Sequence, residues 1–106
     1  MNVSLSTSCE ENSSLLLLRE VAEMITYRII ISTMYSGKTV LQISTENKLP
    51  LSSTYKKISK LCKAGILSVD KVSIDDNGKK VLYYKSKIKA IEACLNENGL
   101  AVHVTK

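Results

Sequence analysis

The chain has 106 residues, 44% of them hydrophobic, which is enough for one domain with a core. Its aromatic residues are five tyrosines, with no Trp or Phe, so the core is aliphatic, and the lack of a Trp or Phe cluster weighs against single-strand binding by an aromatic platform. The net charge of +5 is unevenly placed: residues 48–89 hold eleven Lys against Asp70, Asp75 and Asp76, while the segments on either side are mildly acidic. Such asymmetry points to a polyanionic partner.

Residues 1–12 are polar and rich in Ser and Asn, and are expected to form a flexible N-terminus. Glu10 and Glu11 precede the short run Leu15–Leu18, where a secretory signal needs a basic start, so none is expected. No apolar run approaches the ~18 residues of a membrane span. Ser13 or Ser14 can cap a long helix over 13–36, ending before Gly37. Leu15, Leu18, Ala22, Ile25 and Ile29 form one face of it; Leu17, Val21, Met24 and Ile31 form a second. A helix apolar nearly all round needs burial on more than one side. Leu15, Leu17, Leu18, Val21 and Met24 are therefore expected to form a homodimer interface, joined by Cys94. The β-branched run Ile29–Ile31 is a place where this helix can break.

Two short helices follow. Thr39 is an N-cap residue for the first, over 39–46, with Val40 and Ile43 inward; Leu49 and Pro50 mark its exit. Ser52 is expected to cap the second, over 52–64, with Leu51, Tyr55, Ile58, Leu61 and Cys62 on its buried face. Ser53, Thr54, Lys56, Lys57, Lys60 and Lys63 lie opposite, and Gly65 stops the helix. Residues 67–85 then read as a hairpin. Val69, Val72, Ile74, Val81, Leu82, Tyr83 and Tyr84 are strand formers, and Asn77-Gly78 supplies a tight turn. Imperfect alternation allows a bulge or a late strand start. Ser86 is expected to cap a C-terminal helix over 86–98, with Ile88, Ile91 and Leu95 inward. Residues 99–106 are a tail or, over 100–104, a short strand. The expected fold class is α+β, mostly helical.

Helix, helix-turn-helix, two-stranded hairpin, helix: this order, carried by GKTVLQIS, LPLSSTYKKISKLCKAGIL and the hairpin before YYKSKI, resembles a winged helix-turn-helix domain. The chain is similar to archaeal transcription regulators of the ArsR-like group. The resemblance implies a DNA-binding homodimer, with residues 52–64 as recognition helix, 67–85 as wing, and 13–98 as the domain. Metal-sensing members carry a Cys-x-Cys pair on a helix; here Cys62 stands alone. Ser44 stands where the group often has Ala.

On this reading Ser53, Thr54, Lys56 and Lys57 approach the major groove, Ser52 lies near a phosphate, and Lys60, Lys71, Lys79 and Lys80 grip the backbone. The helix lacks Arg, Asn and Gln, the commonest base readers apart from Lys, so shape readout is expected to carry a large share. The acidic tip Asp75-Asp76 argues against deep insertion. His103 is the single histidine, and no Gly-rich phosphate loop, carboxylate pair or nucleophile motif occurs, so no catalytic residue, cofactor or metal is expected. No small-molecule or metal effector is expected either. Three widely spaced cysteines, Cys9, Cys62 and Cys94, suit a reducing cytoplasm. The rival expectation is a protein-binding winged helix within a larger assembly.

Overall fold

The computed structural model describes residues 2–5 and 8–106. Four helices and two antiparallel sheets are present among them. The core is aliphatic, and Ile29, Ile43, Ile58, Leu61, Leu67 and Val102 are its most deeply buried apolar members. Asn2–Leu5 forms strand β1. Ser8–Ala22 is α1 and Met24–Thr33 is α2. Within the segment 1–12, expected to be a flexible N-terminus, the described residues belong to regular elements: β1 pairs with a later strand and Ser8 already belongs to α1. Met1, Ser6 and Thr7 lie outside the described residues.

The single long helix over 13–36 is also corrected. The chain breaks at Glu23, whose backbone is extended (φ −64°, ψ 134°). Glu20 reaches across the break, its carboxylate accepting a 3.0 Å hydrogen bond from the hydroxyl of fully buried Thr26. The break lets α1 pack on one sheet while α2 packs on the other sheet and on the helix pair. This is how four consecutive leucines are accommodated: Leu17 and Leu18 pack against the core, while Leu15 and Leu16 stay exposed.

Val40–Asn47 is α3 and Leu51–Lys63 is α4. Thr39 caps α3 as expected. The Gln42 amide donates to its hydroxyl, and its own amide donates to the Gln42 side chain, a reciprocal capping box. The turn between the helices passes through Lys48 in the left-handed region (φ 54°). Ser44 secures it, donating 2.6 Å to the Leu49 carbonyl. The hydroxyl at this buried position therefore holds the turn. Because a side chain strains left-handed backbone, Lys48→Gly should raise stability by about 0.5–1 kcal/mol, read as an increased urea midpoint with an unchanged slope.

The start of α4 differs from expectation. Pro50, not Ser52, holds the N-cap position, and Ser52 sits inside the first turn. The end follows a Schellman pattern: Ile66 N donates to Leu61 O at 2.9 Å, Gly65 N to Cys62 O at 3.1 Å, and Gly65 has φ 78°. Leu61 and Ile66 are both buried, so the cap also closes the core.

Leu67–Ile74 (β2) and Lys80–Ser86 (β3) form the hairpin, with the bulge at Asp70. Its turn is held by Asp75, whose carboxylate accepts from the amides of Asn77 (2.9 Å) and Lys79 (2.8 Å). Lys38 adds a rung to the sheet, exchanging two backbone hydrogen bonds with Tyr84 (2.9 and 2.7 Å).

The C-terminal helix expected over 86–98 is absent. Ala90–Asn96 is strand β4 and Gly99–Thr105 is strand β5, joined by a turn at Glu97-Asn98. Ser86 caps no helix; its hydroxyl donates to the Ile88 carbonyl and accepts from the Ile88 amide. The reason is nonlocal. Leu100, Val102 and Val104 are buried on alternate positions of β5, whose free edges are satisfied by β4 and β1 in a sheet ordered β1-β5-β4. Ile88, Ile91 and Leu95 repeat at helical spacing while Ile91, Ala93 and Leu95 alternate, and the sheet selects alternation. The open alternative for residues 100–104 resolves to strand.

Candidate nucleic-acid interface

Helix α4 shows which of its residues are available to a partner. Thr54, Ile58 and Leu61 face the core, spaced as one helical stripe. Ser52, Lys56, Ser59 and Lys63 are spaced by four, three and four residues, so they form one exposed stripe directly opposite. Tyr55 was expected inward but is exposed, and Leu51 is only half covered. The face is turned because Thr54 can be buried: its hydroxyl donates 2.8 Å to the Pro50 carbonyl, which also bonds the Thr54 amide. Thr54 is therefore withdrawn from the expected contact set. Ser59 joins it, a residue the apolar spacing did not single out.

Lys57 is corrected too. Its ammonium is 2.6 Å from Glu23 and 3.2 Å from Glu20, and the side chain is only 17% exposed. Lys60, more exposed, shares Glu20 at 3.2 Å. These contacts tie α4 to the α1–α2 break. Burial opposes ionisation of Glu20, but hydrogen bonds from Lys57, Thr26 and Lys60 and the charge of Lys57 outweigh it and hold the carboxyl below its usual 4.5. The Glu23 hydrogen bond, opposed by burial and reinforced by Glu20, raises the Lys57 pKa above 10.5.

A depressed Glu20 pKa stabilises above the ordinary carboxylate range and loses that contribution as pH falls through the lower folded value. A raised Lys57 pKa stabilises below the ordinary lysine range and loses it as pH rises through the higher folded value. Chemical unfolding of the parent and of Glu20→Gln should differ by about 1–2 kcal/mol across pH 5–9, with the gap shrinking below pH 4.

Ser52, Ser53 and Lys56 remain exposed and reachable. On the hairpin, Lys79 and Lys80 are exposed, and Lys71 lies with its ammonium 4.4 Å from the centroid of the Tyr83 ring. Thr39, Leu41, Tyr55, Lys80, Leu82 and Tyr84 line a groove of about 350 Å³ between α3, α4 and β3. A second groove, about 500 Å³, runs between Ser59, Cys62 and Lys63 on α4 and Val69 and Tyr84 on the hairpin. The exposed stripe and the hairpin cations thus border a shared surface. Cys62 borders it as a thiol, not a thiolate, since burial pushes its pKa up.

The expected interface residues on α1 and α2 divide. Leu15 and Met24 are exposed, whereas Leu17, Leu18 and Val21 pack against the chain's own core. Cys94 is exposed on β4. Among the described residues no group of three His, Cys, Asp or Glu side chains gathers as a metal site would require. Nor is any described helix long and apolar enough to cross a membrane. In comparison with known proteins, no family model and no curated protein matches the chain.

Proposed function

We propose that this chain is a winged-helix regulator of transcription that binds double-stranded DNA as a homodimer in the cytoplasm, similar to archaeal ArsR-like proteins, and is not an enzyme. The observation that carries the reading is the exposed stripe Ser52, Lys56, Ser59 and Lys63, with no acidic residue on α4, flanked by a hairpin bearing Lys71, Lys79 and Lys80. A helix of about 10–12 Å diameter fits the ~12 Å major groove, and lysines on its outward side meet phosphates or guanine edges. The bond-sharing of Lys38 with Tyr84 supports the same fold, since it sets a one-residue third strand beside the hairpin. Asp75 is used in holding the hairpin turn, so the acidic tip has a structural role and the flanking cations act from its sides. Lys57 and Thr54 serve the fold; Lys60 divides between Glu20 and the partner.

Polarisation titrations against random duplex DNA, and against one of its single strands, test the reading. Micromolar or tighter duplex binding that exceeds single-strand binding supports it; absence of duplex binding removes it. Selection from a random duplex pool then defines the preferred sequence. A second reading, a protein-binding winged helix, is favoured by one observation: exposed Leu41 and Tyr55 border the same groove as Lys80. Salt-insensitive binding to a protein, with no duplex binding, selects it.

A further inference from the structure

Strand β4 is an edge strand, paired with β5 on one side only. Few of the devices that commonly protect edges occur on it: Ala90–Asn96 holds one charge, Glu92, but no Pro and no Lys, and pairs with β5 without a register shift. Leu95 is 80% exposed although its cross-strand partner Leu100 is buried. The molecule is also drawn out, with a radius of gyration of 15.4 Å, against about 13 Å for a compact chain of this length.

We infer that β4 pairs antiparallel with β4 of a second copy, centred on Ala93, to make a continuous six-stranded sheet. The backbone permits this. The two-residue turn is closed by Asn96 and Gly99, and that pair sets the bonding phase; Lys89, a bend residue just before β4, adds an irregular bond from its N to Thr105 O at 2.7 Å. Bonding alternates along an antiparallel ladder, so Ala90, Glu92, Cys94 and Asn96 bond to β5. The amides and carbonyls of Ile91, Ala93 and Leu95 then point out of the edge.

Centring on Ala93 sets these three against their counterparts, with Ile91 opposite Leu95 of the second copy. It also brings Lys89, in the bend before β4, to the end of the seam where Glu97 of the second copy stands in its turn, twice, by symmetry. Shifting the centre to Cys94 would set Ile91 against Glu97 and leave Lys89 without an acidic partner. In the chosen register Ile91, Ala93 and Leu95 share the face of Val104, Val102 and Leu100, so the covered apolar layer continues across the seam. A dyad normal to the sheet places both copies of α1, which packs on β5, on that same face, with exposed Leu15 and Leu16 available between them.

The inference shares with the proposed function only the homodimer, and mass measured without DNA keeps the two separable. Analytical ultracentrifugation should find a dimer at micromolar concentration. Ala93→Pro removes only an outward amide, so it should weaken dimerisation at least about tenfold while circular dichroism stays unchanged. Lys89→Glu and Glu97→Lys should each weaken it up to about tenfold, and the double reversal should restore it. Within one chain these two residues stand about 26 Å apart along the strand, so rescue requires a second copy. A monomer at 50 micromolar or above, a folded Ala93→Pro that dimerises as tightly as the parent, or a double reversal no tighter than either single change overturns the pairing.

Discussion

Replacing Lys56, Lys63 and Lys80 together by Ala is expected, for each protomer bound, to weaken duplex binding about a hundredfold at 150 mM salt and to reduce the log–log salt slope by about 2.7. The size comes from counterion release: each phosphate contact contributes about 0.9 to the slope, worth roughly fivefold in affinity at that salt. The three residues are chosen by geometry. Lys56 and Lys63 lie on the outward stripe of α4, and Lys80 lines the adjoining groove from β3. Lys57→Ala is the control. It removes an equal charge from the same helix, but that charge is already held by Glu20 and Glu23. Its expected result is lower stability with a nearly unchanged slope. Equal slope changes for Lys56→Ala and Lys57→Ala would contradict the assignment of the exposed face.

The second large effect is on the core. Leu61 is fully buried, belongs to the inward stripe of α4, and supplies the carbonyl that closes its cap on Ile66. Truncation to Ala leaves a cavity in the aliphatic core beneath α4, near Leu17 and Ile66. Leu61→Ala should cost about 3 kcal/mol, within the ~2–5 range of such changes. For a chain of this size that is a fall in Tm of roughly 15 °C. Cys62→Ala, one residue along but half-buried, should cost clearly less. Calorimetry of the two variants makes the comparison; equal losses would mean that α4 is rotated from the orientation described.

The helix pair was legible because its signals are local. Thr39 with Gln42 is a capping box within four residues, Gly65 is a stop at a positive φ, and Asn77-Gly78 is a turn whose glycine adopts φ 78°. What escaped was decided far along the chain. Lys57 reads as one of several outward lysines until α1 arrives, and its partners Glu20 and Glu23 lie 37 and 34 residues away. Thr54 reads as polar and exposed because spacing does not reveal that Pro50 offers its hydroxyl a carbonyl. The segment Ile88–Leu95 satisfies a helical period and a strand period together, and only the buried alternation of β5 chooses between them. The candidate surface was accordingly legible in its charge and its helix, but not in which lysines of that helix are available.

Duplex recognition by an outward lysine face is read out by the salt dependence of the parent chain's binding. Dissociation constants for one duplex, measured from 50 to 300 mM salt, should rise along a log–log line whose slope has a magnitude of at least about 2.7, three contacts at 0.9 each. A slope near zero, or no duplex binding at 50 mM, would contradict it.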